Sequence, residues 1–291
     1  MAERDSWTNS PPAAYIDEWK RCQTRAGGCS TRTELQRQEG TAGAFSQKEG
    51  FDMRYASKLL DREIIAGEIM LLRFQKPEGF GFVAGQFCFM VTPDLGYHDQ
   101  ESLRRPFSIA SSPLENELIF TVRLTESAFK KTLKEMPVGS AVALDSPLGL
   151  FTLPKETATP LVFLAGGVGV SPFRSMMRYA ADASTGHKIT LLYSSRVPEE
   201  AVFLDEFRRI AKGDPRMTVV VTITRPDRSR EKWTGLTGRV TPEMVKEQCK
   251  DWAQAVHYVS GPPVMVDGMK NVLVEMGVDQ QRVKREVWAG Y

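Results

Sequence analysis

A glycine-rich turn between an apolar strand and a helix constrains this chain more than any other feature. The turn reads Gly166-Gly167-Val168-Gly169-Val170-Ser171-Pro172, and it follows the apolar run Leu161–Ala165. Glycines let a backbone approach a ligand closely, and the first N–H groups of a helix favour an anion such as a pyrophosphate. The order is not G-x-G-x-x-G, so a tight packing turn without a ligand is the alternative interpretation.

Strand and helix patterns alternate after Pro160. Apolar strands are predicted at Leu161–Ala165, Ile189–Tyr193, Met217–Thr222, Ala255–Val259 and Arg282–Trp288. Amphipathic helices are predicted between them, with apolar residues at Phe203, Phe207 and Ile210 and at Met265, Met269 and Leu273. This alternation predicts α/β architecture with a doubly wound parallel sheet.

The preceding part of the chain has a different rhythm. Short β-branched and aromatic runs, separated by turn residues, lie at Ile69–Phe74, Phe87–Val91, Phe107–Ala110, Leu118–Leu124 and Ala141–Leu144. One helix is predicted over Ser127–Glu135, where Phe129 and Leu133 share a face. Several strands with a single helix predict a small antiparallel β-barrel.

Residues 1–52 differ from both regions. They contain no valine, and Ile16 and Leu35 are their only branched aliphatic residues. Such a segment buries too little apolar surface to offset its ordering entropy, so we expect a disordered or loosely attached extension. A true start at Met53 is the alternative.

Composition narrows the class of protein. The chain has 291 residues, a length that predicts about two domains. Of these residues 25% are charged, and the net charge is +2. No basic block interleaved with aromatic residues occurs, which argues against nucleic acid as a ligand. The longest apolar stretch, residues 161–173, falls short of the ~20 residues of a membrane span. No signal peptide is recognisable in residues 1–30, and we therefore expect a cytoplasmic protein.

The residues that commonly bind metals are scattered. The cysteines lack the C-x4-C-x2-C spacing of a plant-type iron–sulfur cluster, and we interpret them as reduced thiols. His98, His187 and His257 lack metal-ligand spacing and are expected to be structural. We therefore predict no metal site, and any iron–sulfur centre would belong to another protein. The cysteines are Cys22, Cys29, Cys88 and Cys249.

A second motif, Arg105-Pro106-Phe107-Ser108, lies in the barrel region. The arginine offers a two-pronged donor for a phosphate, and Phe107, two residues on, shares its strand face and could stack on a ring. The Ser108 hydroxyl could bond to a ring nitrogen. An edge strand with a surface arginine is the alternative for this tetrapeptide alone.

Five motifs in order identify a resemblance. They are Gly85-Gln86-Phe87, Arg105-Pro106-Phe107-Ser108, Gly166-Gly167-Val168-Gly169-Val170-Ser171-Pro172, Ser260-Gly261-Pro262-Pro263 and Glu286-Val287-Trp288. With these motifs the chain resembles the ferredoxin–NADP(H) reductase family from Arg54 to Tyr291. The resemblance implies an antiparallel FAD-binding β-barrel over residues 53–155, followed by a doubly wound NAD(P)H-binding domain over residues 156–291.

The resemblance also implies roles for individual residues. FAD would be bound by Arg105, Pro106, Phe107, Ser108, Val122 and Lys130. The nicotinamide dinucleotide would be bound by Gly166, Gly167, Gly169, Ser171, Pro172, Ser195, Arg196, Arg225, Gly261 and Pro262. Ser108, Ser260, Glu286 and Trp288 would be the catalytic group. Trp288 would cover the flavin until the nicotinamide displaces it; Tyr291 is the alternative cover, and a core residue is the alternative role for Trp288.

Three positions depart from the family pattern. Ser260 stands where members commonly have cysteine, and we expect slower hydride transfer as a result. Ser127-Ala128-Phe129-Lys130 replaces Gly-x-x-Ser in the flavin phosphate loop, which leaves FMN as an alternative to FAD and a solvated surface residue as an alternative role for Lys130. Ser194-Ser195-Arg196 lacks a carboxylate after the second strand, which favours NADPH over NADH.

The resemblance implies an NAD(P)H-dependent flavoprotein oxidoreductase. It would pass electrons to a separate acceptor such as ferredoxin, flavodoxin or an oxygenase component. A reductase of free flavins, quinones or ferric chelates is one alternative. A docked electron-transfer subunit and a nucleotide-sensing module without turnover are the others.

Overall fold

The computed structural model describes residues 53–66, 68–99, 103–230 and 232–287. The predicted extension over residues 1–52 and the predicted flavin covers Trp288 and Tyr291 lie outside these ranges. Both sheets described below belong to one compact unit. No helix in the described ranges is long and apolar enough to cross a membrane.

The first part of the described chain forms an antiparallel six-stranded sheet with one helix. Its strands and helix are β1 (Arg54–Ile65), β2 (Ile69–Gln75), β3 (Phe87–Val91), β4 (Arg104–Ser108), β5 (Glu117–Arg123), α1 (Ala128–Glu135) and β6 (Ala141–Asp145). The strand order is β4-β3-β6-β1-β2-β5, and every pair is antiparallel.

An aromatic and aliphatic core fills this barrel-like sheet. Phe74 and Phe120, from β2 and β5, meet edge to face with ring centroids 5.9 Å apart. Phe129 and Leu133 of α1 are buried in the same core, as their spacing predicted. The helix begins after Ser127, whose Oγ accepts a hydrogen bond from the Lys130 N–H. The antiparallel fold is confirmed.

The second part forms a six-stranded parallel sheet flanked by helices. Its elements are β7 (Leu161–Gly166), α2 (Ser171–Asp182), β8 (Ile189–Ser195), α3 (Leu204–Gly213), β9 (Met217–Ile223), β10 (Leu236–Thr237), α4 (Pro242–Gln248), β11 (Val256–Gly261), α5 (Pro263–Glu275) and β12 (Val283–Val287). The strand order is β10-β9-β8-β7-β11-β12.

Helices cover both faces of this sheet. Alternate residues of β7 point to opposite sides: Phe163 packs with Phe173 of α2, whereas Leu164 lies in a separate core with Val266 of α5. Because both faces are covered, β7 is buried along its whole length, which is typical of a parallel strand. The doubly wound fold is confirmed.

The direction of winding reverses between β7 and β11. The chain moves from β7 to β8 on one side, and β11 lies on the other side of β7. In open parallel sheets, ligands bind in the crevice beyond the carboxyl ends of the strands at such a switch point. The glycine-rich turn follows β7, and Gly261 ends β11, so both motifs lie at this crevice.

The structure differs from the predicted elements mainly in the first sheet. The long strand β1 was not among the predicted runs, because its exposed positions carry charges such as Lys58, Asp61 and Glu63. Strand β4 covers Arg104–Ser108 rather than Phe107–Ala110, since pairing with β3 outweighs the weak strand propensity of Arg104 and Pro106. The domain limits at 52/53 and 155/156 stay a prediction.

Candidate active site

Two glycine turns touch each other at the crevice. A Cβ added to Gly169 would lie 2.5 Å from Cα and 2.6 Å from N of Gly261, and one added to Gly166 would lie 2.1 Å from Sδ of Met265. These distances are too short for any side chain. The Gly169 contacts are with backbone atoms, so the packing between the turns requires glycine there, whereas at Gly166 the Met265 side chain would have to shift. The packing role that the alternative interpretation gives to the whole turn therefore applies to Gly169.

Gly167 differs from these two glycines. Its φ is +53°, a conformation that favours glycine, and a Cβ there would meet one atom within 4 Å, Nη2 of Arg123 at 3.8 Å. The turn thus has one side packed against β11 and one side turned towards an arginine. That second side therefore offers open backbone beside an arginine that is paired with Glu68 and Glu200.

Ser171 and Pro172 begin α2 directly after the turn. The Ser171 Oγ donates to the Val168 carbonyl at 2.8 Å and also lies in a hydrogen bond with Oγ1 of Thr121 in β5. Since the single Ser171 proton goes to Val168, Thr121 is the donor in the second bond. The predicted nucleotide ligand Ser171 is therefore also a link to the barrel, and its hydroxyl is buried.

Three predicted catalytic residues meet at the ends of their strands. Ser108, the last residue of β4, donates through Oγ to Oε2 of Glu286 at 3.1 Å. Glu286 pairs with Ser260 across β11 and β12. Residues 178 positions apart in the chain, from the flavin motif and the C-terminal motif, are therefore in direct contact.

Ser260 is fully buried, and its Oγ has no hydrogen-bond partner among the described residues. A buried hydroxyl without a partner costs about 1–3 kcal/mol, so it is rarely retained without a use. The position of this group, at the carboxyl end of β11, fits a site that receives a polar ligand group.

The predicted flavin motif occupies β4, and all five of its residues are half-buried. Arg105 and Phe107 pair with Met90 and Cys88 and share one face, whereas Ser108 is on the other face. The Phe107 ring stacks on Phe129, with centroids 5.7 Å apart and planes 23° from parallel. One short strand therefore presents a cation and a ring on one side and a hydroxyl on the other.

Val122 lies apart from these groups. It is in the middle of β5, 3% exposed, and its side chain belongs to the barrel core. Its backbone pairs with Met70 of β2. The structure does not bring the Val122 side chain to the surface on which Ser108 and Glu286 meet.

The first turn of α1 already binds an anionic group. The Ala128 N–H donates to Oδ2 of Asp99 at 2.7 Å, and Lys130 is half-buried in the same turn. A carboxylate on the first amides of a helix shows that this end accepts negative charge, as a flavin phosphate would require. The residues present therefore fit the phosphate group of a flavin nucleotide.

The predicted ribose region brings two arginines together. The Arg225 N–H donates to the Arg196 carbonyl at 2.8 Å, so the ends of β8 and β9 are neighbours. Both arginines are exposed, and Nη1 of Arg196 lies 3.4 Å from Oε2 of Glu68. Ser195 is different, because it is buried and its Oγ donates to the Val197 carbonyl at 2.9 Å.

Arg123 and Glu200 were not among the predicted site residues. Arg123 ends β5 and donates to Glu200 and to Glu68, each at 2.7 Å. It also faces Gly167, as described above. Arginine at the end of a strand is a common surface feature, and its partner Glu200 is 77 residues away, so the sequence offered no local signal for this group.

Cysteine and histidine chemistry is unrelated to this crevice. Burial raises the pKa of the Cys88 thiol well above its usual range and that of Cys249 to about 12, so both stay protonated. Burial lowers the pKa of His257, whose Nε2 bonds to the Trp252 carbonyl at 2.8 Å. His187 bonds to Thr185 and to the Pro154 carbonyl.

Two known domain families match the two sheets. Residues 54–169 match the FAD-binding domain family, and residues 163–271 match the oxidoreductase NAD-binding domain family. The two matches together span the antiparallel sheet, the glycine-rich turn and most of the parallel sheet. An FAD-binding domain and an NAD-binding domain are therefore present in this order, as predicted.

Curated relatives share this domain order. The chain is 31% identical over 183 residues to ferredoxin–NADP reductase B of Sorangium cellulosum, a match that covers 60% of this chain and 72% of that protein. It is 30% identical over 214 residues to the glycine betaine monooxygenase reductase subunit of Chromohalobacter salexigens, which covers 72% of this chain. The chain spans 57% of the length of that reductase subunit.

A solved structure shows the same fold. The crystal structure of a ferredoxin NADP+ reductase from Neisseria gonorrhoeae, with bound FAD and NADP, superposes with a TM-score of 0.66. The sequence identity is 21%, and the match covers 80% of this chain and 98% of the other.

Proposed function

Because the chain belongs to the ferredoxin–NADP(H) reductase family, we propose that it is an NAD(P)H-dependent flavoprotein oxidoreductase with FAD as its cofactor. It would take electrons from a reduced nicotinamide and pass them to a separate acceptor. The observation that carries this proposal is the contact between Ser108 and Glu286 beside the buried Ser260, at the switch point of the parallel sheet.

The barrel residues would hold and orient the flavin. Arg105 and the first turn of α1, with Lys130, would bind its phosphates, since a guanidinium group and a helix N-terminus both favour anions. A phosphate at this helix end would take the place of the Asp99 carboxylate on the Ala128 N–H. Ser108, on the opposite face of β4, would lie beside the reacting edge of the ring. Phe107 would contribute ring packing from within the barrel wall.

The second part of the chain, which contains the parallel sheet and is called the nucleotide lobe from here on, would hold the dinucleotide against that ring; the antiparallel barrel is the other lobe. Gly167 would receive the pyrophosphate at its open backbone. Arg123 lies beside it but is already paired with Glu68 and Glu200, so it would contribute only by exchanging one of these carboxylates for the phosphate. The Ser260 hydroxyl would gain a polar partner on the nicotinamide. Glu286 accepts a hydrogen bond from the Ser108 hydroxyl and so fixes the orientation of that hydroxyl.

The flavin held by these residues would supply a two-electron acceptor for the hydride that can also release single electrons. Such a transfer requires the two rings to lie roughly 3–3.5 Å apart, so the main task of the protein is positioning. Trp288 would cover the flavin before the nucleotide binds, with Tyr291 as the alternative cover.

The donor is proposed to be NADPH rather than NADH. Arg196 and Arg225 meet at the ends of two neighbouring strands and are both exposed, which suits a 2′-phosphate. Glu68 reduces the charge of Arg196 on one side, so Arg225 would provide the larger part of the discrimination.

The acceptor is proposed to be a protein: a ferredoxin, a flavodoxin or the iron–sulfur component of an oxygenase. The relative from Chromohalobacter salexigens is named as the reductase subunit of a monooxygenase, which favours the last of these. The proposed location is the cytoplasm, and the proposed domain limits are residues 53–155 and 156–291.

One experiment tests flavin, nucleotide and electron transfer together. The purified protein is examined by visible absorbance and then titrated with NADPH without oxygen. We expect a flavin spectrum that bleaches at about one equivalent of NADPH per flavin, as a single hydride acceptor requires. Reduction of an added dye would then follow. A colourless protein that binds neither FAD nor FMN would overturn the proposal, and a flavin that NADPH does not bleach would favour the nucleotide-sensing alternative.

A further inference from the structure

One buried arginine joins the two lobes. Arg174 of α2 is 5% exposed, and all three guanidinium nitrogens are engaged. Nη1 donates to the Ala110 carbonyl and to Glu115, both at 2.8 Å, and Nη2 donates to the other Glu115 oxygen at 3.0 Å. Nε donates to Glu206 of α3 at 2.8 Å. Ala110 and Glu115 lie between β4 and β5, whereas Glu206 lies in the nucleotide lobe.

Arg174 and its partner Ala110 each lie close in sequence to one of the two predicted binding motifs. Arg174 is in the first turn of α2, five residues after Gly169 of the glycine-rich turn. Ala110 follows Ser108 of the flavin strand by two residues. The guanidinium therefore connects the backbone that would hold the pyrophosphate to the strand that would hold the flavin.

The next residue of the helix, Ser175, makes the same crossing. Ser175 Oγ donates to the Ser111 carbonyl at 2.6 Å and accepts from the Gly85 N–H at 3.3 Å. Gly85, with φ +98°, leaves no room for a side chain, because a Cβ there would lie 2.3 Å from Cε of Met176 and 2.2 Å from the Phe151 carbonyl oxygen. The contact is thus directional and closely packed.

Glu115 is fixed as firmly as Arg174. Its carboxylate also accepts the Ser112 N–H at 2.6 Å, which closes the turn after Ala110. Burial alone would raise the pKa of Glu115, but the hydrogen bonds and charge of Arg174 lower it, so the carboxylate is ionised. A bidentate ion pair between Arg174 and Glu115 therefore connects the two lobes.

Phe203 adds a second contact at the same place. It lies at φ +63°, a left-handed conformation that is unfavourable for a large residue. Its ring lies 4.9 Å from the Arg174 guanidinium and packs on a barrel cluster formed by Leu71, Ala110 and Ile119. A strained backbone at this contact indicates that the surrounding packing holds Phe203 in place.

We propose that Arg174 is a positioning residue that sets the distance between the glycine-rich turn and the flavin strand. This inference rests on the proposed function, because the distance matters where two rings must stack for hydride transfer. A displacement of about 1 Å can slow such a reaction roughly 100-fold. All three guanidinium nitrogens of Arg174 bond to protein groups, so we expect its loss to affect the rate of transfer more than the binding of either cofactor.

The test compares Arg174→Lys with Arg216→Lys, a control for the loss of an arginine–carboxylate pair that does not cross between the lobes. Lysine keeps the charge but cannot form the two-pronged bond. Arg216 makes an equally two-pronged bond to Asp214, at 2.8 and 2.9 Å, but within the nucleotide lobe. Glu115→Gln serves as a milder second variant should the lysine variant fail to fold.

Five quantities are measured: flavin content, the limiting rate of flavin bleaching by NADPH, the rate of bleaching by dithionite, the KM for NADPH, and hydrogen–deuterium exchange over residues 110–115. We expect Arg174→Lys to lower the limiting rate by about 10–100-fold and to speed exchange over 110–115. Flavin content, KM and bleaching by dithionite stay near native. Arg216→Lys leaves all of these unchanged.

Two results would overturn the inference. One is a native limiting rate in both Arg174→Lys and Glu115→Gln. The other is a lower limiting rate that is accompanied by an equally slow reduction by dithionite and by a raised KM for NADPH, which indicates general damage to the protein. The exchange measurement does not depend on electron transfer. If the native protein is not bleached by NADPH, the proposed function fails. Unchanged hydrogen–deuterium exchange in the variants would separately refute the claim that Arg174 holds the two lobes at a fixed distance.

Discussion

The two halves of the candidate site differ in whether backbone or side chains form their main contacts. In the nucleotide lobe the centre of the site is a contact between two backbone turns, with Gly169 and Gly261 so close that no Cβ fits between them. In the barrel the site is carried by the half-buried side chains of β4, such as Arg105 and Ser108. A backbone contact either fits or fails, whereas a side-chain contact can be weakened by degrees. The lobes should therefore respond differently to single substitutions.

The largest effect is expected at the backbone contact. In Gly169→Ala the new methyl group would overlap Gly261, and overpacking of this kind costs about 1–3 kcal/mol or more. Displacement of the turn should also slow flavin bleaching by NADPH more than about 100-fold. Thermal unfolding and anaerobic stopped-flow absorbance measure the two effects.

Gly268→Ala is the control for this substitution. Gly268 lies within α5, and a Cβ there meets no atom within 4 Å. Alanine should raise helix stability by about 0.5–1 kcal/mol without changing the bleaching rate. Equal loss of activity in both variants would contradict a backbone-built site in the nucleotide lobe.

A smaller, graded effect is expected in the barrel. Arg105→Met removes the proposed phosphate donor, and a charged hydrogen bond contributes about 1.5–3 kcal/mol, so FAD should bind roughly 10–100-fold more weakly. Arg104→Met is the control, because Arg104 is on the other face of β4, bonds to Asp145 at 2.7 Å and lies over the Phe89 ring. Fluorescence titration of flavin-free protein measures both. A common loss in the two variants would contradict the assignment.

Much of this difference could be predicted from the sequence, but not all of it. The apolar run into Gly166 predicted β7 and its turn, because a strand buried on both faces needs continuous apolar residues. The roles within the turn could not be separated, since the need for Gly169 depends on Gly261, which is 92 residues away. For the same reason the sequence did not reveal the Arg123–Glu200 pair or the contacts of Arg174 across the two lobes. The partners of both arginines lie far along the chain.

The nucleotide preference gives an effect of intermediate size. Arg225→Ala should raise the KM for NADPH about tenfold, the loss of roughly 1.4 kcal/mol expected of one exposed phosphate contact, while the KM for NADH stays unchanged. Arg228→Ala is the matched control, because it is another exposed arginine three residues away. Steady-state dye reduction with each nucleotide provides both values. A native protein that prefers NADH tenfold would contradict the assignment.

The smallest effect is expected at Ser260. In Ser260→Cys a weakly polar thiol replaces a buried hydroxyl that lacks a partner among the described residues, which should raise the free energy of unfolding by about 1 kcal/mol. We also expect flavin bleaching to be faster. Ser57→Cys is the control, since the buried Ser57 donates to the Gln75 carbonyl at 2.6 Å and should lose stability. An unchanged or slower rate in Ser260→Cys would refute the kinetic part.

The most direct measurement of the central claim, that the two halves meet to stack a nicotinamide on a flavin, is the rate of flavin bleaching by NADPH carrying deuterium at C4. The account predicts a yellow protein whose bleaching by the natural donor is fast and is clearly slowed by the deuterium that is transferred. Bleaching that is indifferent to deuterium on either face of C4, or a protein that takes up no flavin, would contradict it.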